Sequence, residues 1–377
     1  MLDYDVAVIG AGIAGASIAA RLADKARVLL VEMETSPGYH TTGRSAALFT
    51  ELYGNATIRE LTGRGRTFFE LPPSPFNGPL LSPRGCLYSV KPKQVGQAED
   101  LADVAKARDV EMMRLSPTEI AAKVTPLRQD AVAFGLFEPG SMDIDVDALH
   151  GGFLRAANRS GVALSVGRLP KIQRATAGWK LALGDERLYC RILVDAAGAW
   201  ADAVARDCGV RAKGIVPHRR TVALVDALPA VSQAAMASWP AVIDIAEEFY
   251  FKPESGKLLC SPADETPSDA CDAAPEELDL AIAIDRMQSL LDFPVRRIAS
   301  SWAGLRSFTP DKTPVVGFDP RVDDFFWFAG QGGYGIQTAP ALSDLGARLL
   351  LGEKLDLGER ALASTMAPDR LGKKTAA

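Results

Sequence analysis

The sequence predicts an α/β protein of two lobes, one with a parallel sheet assembled from separated stretches of chain and one with an antiparallel sheet. Three observations predict it. The chain has 377 residues, beyond the size at which one hydrophobic core keeps growing, so its mass divides. Near the N-terminus an apolar run, a glycine-rich turn, an alanine-rich stretch and a second apolar run follow one another, which is the order of a βαβ unit. Between Gly214 and Arg306 the pattern changes to short apolar runs, as antiparallel strands require.

In chain order, Tyr4 to Gly10 reads as a buried strand, Ile13 to Leu22 as a helix and Arg27 to Glu32 as a second strand. A right-handed crossover makes the two strands parallel and aims the helix N-terminus at their carboxyl edge. Leu71 to Pro83 is rich in proline, which marks an excursion out of this sheet. Leu188 to Val194 is a strand that returns to it and ends in the tight turn Ala197-Gly198-Ala199. Thr221 to Val225, Phe249 to Lys252 and Lys257 to Leu259 are the expected antiparallel strands. Phe325 to Ala329 is the last strand of the first lobe, followed by glycine-rich turns and a helix from about Ala339 to Leu351. The first lobe is therefore expected from residues 1–80, 141–213 and 310–363, the second from 81–140 and 214–309, with 364–377 a flexible tail. No internal repeat at solenoid periods is present.

Composition excludes several classes. A formal charge of -5 without a long basic run is no nucleic-acid footprint. The first strand begins so close to Met1 that no signal peptide fits, and no apolar stretch is long enough to span a bilayer, so a cytoplasmic protein is expected. Any contact with the inner membrane is then peripheral, through an electron acceptor. The five cysteines are scattered without a C-x-x-C pair, and the three histidines, His40, His150 and His218, are widely separated, so no metal site is expected.

Gly10-Ala11-Gly12-Ile13-Ala14-Gly15 is a G-x-G-x-x-G pattern placed between strand and helix, where it has meaning. Gly10 permits the tight turn, Gly12 lets a pyrophosphate approach the backbone, and Gly15 lets the helix pack on the strand. The free N–H groups of the first turn, around Ala14, face the anion. Glu32, at the end of the second strand, is placed to accept hydrogen bonds from a ribose diol. The lobe is therefore Rossmann-like and binds a dinucleotide, either NAD or FAD. The alternative for the same residues is a glycine-rich turn without a ligand.

Other segments choose between the two cofactors. Thr41-Thr42-Gly43-Arg44-Ser45-Ala46-Ala47, Val194-Asp195-Ala196-Ala197-Gly198-Ala199-Trp200 and Gly330-Gln331-Gly332-Gly333-Tyr334-Gly335-Ile336-Gln337-Thr338 resemble segments of the D-amino acid oxidase superfamily. With Trp302-Ala303-Gly304-Leu305-Arg306-Ser307-Phe308 the resemblance is nearest to FAD-dependent D-arginine dehydrogenases and spans most of the chain. It implies FAD as cofactor. Thr42, Gly43, Arg44, Ser45, Ala46, Ala197, Gly198, Trp200 and Gly304 would contact it, together with the run Gly332, Gly333, Tyr334, Gly335, Ile336, Gln337 and Thr338 at a helix start. No cysteine follows Cys271 to form a C-terminal thioether, so the flavin is expected to be non-covalent, with His40 as the nearby candidate for another linkage.

The same resemblance gives Arg306 the substrate carboxylate, a role that suits its planar guanidinium. It makes Arg220 and Tyr250 further substrate contacts and Tyr53 a residue of a mobile active-site loop. On residue type alone, an arginine is more often a surface group and a tyrosine core or rim. The chain departs from the D-arginine dehydrogenases in carrying Leu48 in place of a histidine and Leu87 in place of an acid. With Gly333 these leucines would line a pocket for an apolar or neutral side chain, unless Glu51 or Asp244 supplies a negative charge from another direction.

The expected function is oxidation of a small amino acid, of D configuration, to an imino acid and then to a 2-oxo acid and ammonia. Electrons would leave to a quinone or O2, since one dinucleotide motif leaves no second site for NADPH. No residue stands out as general base. Monomer and homodimer both fit. The alternatives are a 2-hydroxy acid dehydrogenase on the same fold and a non-catalytic FAD-bound sensor.

Overall fold

The computed structural model describes residues 2–76, 78–226 and 231–372. Among these, one eight-stranded sheet carries the Rossmann-like lobe. Tyr4–Ile9 lies at its centre, parallel to Val28–Val31 on one side and to Glu186–Asp195 on the other. Val322–Ala329 runs parallel to the end of Glu186–Asp195. Successive side chains of a strand point to opposite faces, and the alternation is visible in the packing. Val6 and Val8 join Ile18, Leu22, Phe326 and Phe328 in one core layer. Ala7 and Ile9 join Leu29, Leu193, Phe325 and Trp327 in the layer behind. Burial on both faces is why these strands read as continuous apolar runs. The helices Ile13–Leu22 and Gly335–Leu351 pack side by side over the first layer.

The second sheet has nine strands. From one edge they run Thr266–Pro267, Val216–Val225, Lys257–Ser261, Tyr250–Glu254, Ala241–Asp244, Cys86–Val90, Phe134–Glu138 and Met113–Leu115. The long strand Ile298–Phe308 also pairs with Val216–Val225. Most pairs are antiparallel, as expected, but Ala241–Asp244 and Cys86–Val90 run parallel. The helix Glu277–Leu290 covers the back face, over Ala223, Val225, Val242 and Phe251. A small third sheet of Leu48–Phe49, Leu81–Pro83 and Met142–Ile144 was not expected, since such short strands carry no measurable alternation.

Two expectations are corrected. The last long helix begins at Gly335 rather than about Ala339 and holds Pro340 in its interior. The helix continues through this proline, packed on Ile13–Leu22. The supposed tail is ordered as far as residue 372. Leu357–Met366 is a helix closed by a capping box between Asp356 and Glu359, and Met366 is fully buried. Arg370 then bonds to the carboxylate of Asp311 and the carbonyl of Thr313. The rest of that tail, 373–377, lies outside the described residues. Among the described residues no helix is long and apolar enough to cross a membrane.

Candidate active site

An elongated cavity of about 370 Å³ connects the glycine-rich turn to the second sheet. At its nucleotide end Gly10, Gly12, Ile13 and Ala14 line the wall. Gly10 has φ +98°, and a Cβ at Gly15 would sit 1.7 Å from the Gly10 carbonyl oxygen, so the helix rests directly on the turn. Gly15 acts through this packing and does not itself line the cavity. The helix has no N-cap side chain of its own. Thr42 supplies one from another segment: its Oγ1 accepts the Ile13 N–H at 2.9 Å. His150, kept below its ordinary pKa by burial, donates from Nε2 to the Ala11 carbonyl at 2.9 Å and braces the turn from behind.

Glu32 is buried at the end of its strand, where it accepts the Ala11 N–H on Oε2 at 2.8 Å and the Glu34 N–H on Oε1 at 3.0 Å. Each oxygen keeps a lone pair for a further donor. Ala197, Gly198 and Trp200 face the cavity across from it, and the Trp200 ring lies 4.7 Å from that of His40. His40 lines the cavity too, its Nε2 held 2.9 Å from Glu34 Oε1.

The segment from Thr41 to Ala47 ties the two lobes together. Thr41 donates to the Leu305 carbonyl at 2.7 Å, Arg44 donates to the Ala273 and Ala303 carbonyls and pairs with Asp272, and the Trp302 indole donates to the Arg44 carbonyl at 3.1 Å. Arg44, Ser45, Ala46 and Gly304 line the cavity, whereas Gly43 does not. The helix start at Gly335 borders it with Gly332, Gly333, Gly335, Ile336 and Gln337. With Tyr334 as N-cap and no side-chain cap, the first N–H groups of this helix are free for an anion. Tyr334 and Thr338 do not line the cavity. Tyr334 packs edge-on against Tyr53 at 4.8 Å, and Thr338 spends its hydroxyl on the Tyr334 carbonyl.

At the far end stand Arg306, Tyr250, Tyr53 and Arg220. Arg306 Nη1 donates to the Tyr53 hydroxyl at 3.3 Å, and among the described residues no carboxylate lies within ion-pairing distance of it. A Cβ at Gly333 would fall 2.9 Å from Arg306 Nη1, so glycine there leaves the guanidinium room. Arg220 is spent differently: its Nε donates to the Asp264 carbonyl at 2.9 Å and its guanidinium lies 3.5 Å from Glu265. Leu48, Val222, Ile243 and Phe249 give this end apolar walls.

One expected pocket residue lies elsewhere, and so do the two acids considered as an alternative source of charge. Leu87 is 0% exposed on the back face of its sheet, packed with Ile120 against Gly135. Its neighbour Tyr88, one step along the strand, takes the cavity side beside Ile243. A period of two means that an offset of one residue exchanges the faces, so the position that the resemblance put in the pocket falls in the core here. Glu51 pairs with Arg66 and Arg108, and Asp244 is buried against Lys91 and Gln94, so neither carboxylate reaches the cavity. Two residues not foreseen border this end. Glu247 sits in a turn at φ +57°, accessible at the surface but flanked by protein; burial raises its carboxyl pKa against the pull of Arg220 and Arg306. Thr50 leads to a second, buried acid, Glu138. No local motif marks either position.

The chain matches the family model described as FAD dependent oxidoreductase over residues 5–349. It is 23% identical to the FAD-dependent oxidoreductase domain-containing protein 1 of Mus musculus, over 92% of this chain and 81% of that one. Among solved structures it is similar to L-proline dehydrogenase from P. horikoshii, with TM-score 0.82 and 19% identity over 98% of both chains. It is also similar to glycine oxidase from Geobacillus kaustophilus, with TM-score 0.80 and 20% identity over 93% of this chain and 95% of the other. At these identities the structural likeness establishes the fold.

Proposed function

Because the chain belongs to the DAO family of FAD-dependent oxidoreductases, we propose that it oxidises a small amino acid, of D configuration and with an apolar or neutral side chain. The observation that carries this reading is Arg306: a guanidinium at the end of the cavity, bonded to Tyr53, without a carboxylate partner among the described residues. A substrate carboxylate supplies that partner with bidentate geometry. Two structural neighbours are named for acting on glycine and proline, which favours an amino acid. The D configuration rests on the resemblance of Trp302 to Phe308 to the D-arginine dehydrogenases.

The residues present fit FAD. The cradle at Gly10 and Gly15 has no room for a side chain, and Glu32 keeps lone pairs for a ribose diol. Bound without a covalent link, FAD supplies the hydride acceptor. The chain does the rest. Gly10, Gly12 and the first turn at Ala14 hold the pyrophosphate. The free N–H groups at Gly335 and Ile336 stabilise negative charge beside them. Arg306 and Tyr250 fix the carboxylate, so that Cα is held in one orientation. Leu48, Val222, Ile243 and Phe249 receive the side chain and exclude water. Glu247, with its raised carboxyl pKa, suits taking a proton from the substrate ammonium, so that the amine reacts neutral. The product is an imino acid, which water converts to a 2-oxo acid and ammonia, and the electrons pass to a quinone or O2.

The test is anaerobic mixing of the purified yellow protein with a panel of D- and L-amino acids and 2-hydroxy acids, read by loss of flavin absorbance. Bleaching by apolar D-amino acids with ammonia release supports the proposal. Bleaching by hydroxy acids alone, or no bleaching by any member, overturns it.

A further inference from the structure

One polar cluster at the cavity has no part in the reaction above. Glu138, 3% exposed, closes the strand Phe134–Glu138. Its Oε2 accepts hydrogen bonds from Thr50 Oγ1 at 2.8 Å and from the Tyr88 hydroxyl at 3.4 Å. Thr50 borders the cavity, and its Oγ1 also accepts the Leu52 N–H at 3.2 Å. The order of strands places this cluster. Arg306 lies on Ile298–Phe308 at one side of the sheet, followed across it by Val222, Tyr250 and Ile243, with Tyr88 and Glu138 on the strands beyond. Glu138 therefore lies on the opposite side of Ile243 from Arg306 in the strand order, and Thr50, which it holds, borders the same cavity as Arg306.

A threonine hydroxyl has one proton and two lone pairs. Here one lone pair takes the Leu52 N–H. With Glu138 ionised, the Thr50 proton is committed to the carboxylate, and only a lone pair is left for the cavity. With Glu138 protonated, its O–H donates to Thr50, whose own proton is released toward the cavity. We propose that Glu138, acting through Thr50, is a positioning residue that sets whether the cavity wall at Thr50 offers a hydrogen-bond acceptor or a donor to the side chain of a substrate held at Arg306.

The proposal rests on the reading that Arg306 anchors a carboxylate. The groups facing Glu138 are Tyr88 and Cys86 from the adjacent strand, Glu51 from the segment after Leu48–Phe49, and Arg66 from the helix Ala56–Glu70. Burial is the largest influence on its carboxyl, which it raises to about 7 against the Thr50 and Tyr88 hydrogen bonds. The exchange of states therefore falls near neutral pH.

The test uses the FAD-loaded enzyme and two probes that lack an α-amine and so are not oxidised: isocaproate, with an apolar tip, and ε-aminocaproate, with a cationic donor tip. Binding of each is read from the flavin absorbance. The tip ammonium keeps its charge from about pH 5.5 to about pH 8.5. The preference for ε-aminocaproate over isocaproate should rise about tenfold across that range in the wild type, an effect of one pK unit. It should stay flat in Glu138→Gln and Thr50→Val and return in Thr50→Ser. A flat wild-type ratio, or an equal rise in Glu138→Gln, overturns the proposal. Infrared difference spectra give a second readout: a buried protonated carboxyl band that disappears as pH rises and is missing from Glu138→Gln. Its absence from the wild type also overturns the proposal. If no amino acid reduces the flavin while the probe ratio shifts, the amino acid reading fails and this one stands; turnover of amino acids with a flat ratio gives the reverse.

Discussion

The two ends of the cavity are built by different means. The nucleotide end uses mainly backbone and absent side chains, with Gly10 at φ +98°, Gly15 pressed on the Gly10 carbonyl and N–H groups at two helix starts, and adds Thr42 and Glu32 as polar side chains bonded to the glycine-rich turn. The end at Arg306 uses side chains carried by separate strands: Arg306, Arg220, Tyr250 and Ile243, with Tyr53 and Thr50 from the segment beyond Leu48–Phe49. Backbone recognition of a phosphate tolerates almost any surrounding sequence, provided that the glycines stay. Side-chain recognition can be retuned one residue at a time. The comparison teaches that one end depends on local backbone and missing side chains, and the other on side chains that can be exchanged singly.

Substitutions at each end test this division. The largest effect is expected from Gly15→Ala, because a Cβ 1.7 Å from backbone oxygen forces the helix off the strand. Thermal melts and FAD content should both collapse, a loss of more than about 3 kcal/mol; a variant that keeps its flavin and its melting temperature would break the comparison at the nucleotide end. Next, Arg306→Ala should lower kcat/KM by about 2 to 5 kcal/mol while FAD content stays at the wild-type level. Wild-type steady-state kinetics in that variant would remove the carboxylate anchor.

A smaller effect, and one that depends on pH, is expected from Glu138. Its folded-state pKa is raised from 4.5 to about 7. The neutral form is therefore the one that folding favours: the stabilisation is full below the unfolded value and is lost as pH rises through the folded one. Between about pH 4 and about pH 8 the wild type should lose about 1 to 3 kcal/mol relative to Glu138→Gln. Denaturant unfolding of both proteins across that range measures the difference, and a constant gap would contradict it. The smallest effect is expected from Leu48→Ala, which removes part of an apolar wall. Selectivity for D-leucine over D-alanine should fall by about 1 to 2 kcal/mol, read as a ratio of kcat/KM values. An unchanged ratio would mean that the side chain does not reach this wall.

The sequence by itself determined the nucleotide end. Gly10 to Gly15, the strand before them, the helix after them and Glu32 lie within one short stretch, and their chemistry depends on local backbone geometry that residue type controls. The same locality made the strands Tyr4–Ile9 and Glu186–Asp195 legible, since burial on both faces leaves apolar runs at Val6 to Ile9 and Ile192 to Val194. Tertiary structure alone decided the far end. Which face of Cys86–Val90 meets the cavity follows from pairing with Ala241–Asp244 and Phe134–Glu138, and an offset of one residue separates Leu87 in the core from Tyr88 on the cavity side. Glu51 and Asp244 are acids like Glu138 in sequence, yet arginine and lysine partners hold them elsewhere, while Glu138 is held by hydroxyls under Thr50. The physical reason is that a glycine turn acts through its own backbone, whereas a side chain in a sheet acts through the neighbours that long-range strand pairing gives it.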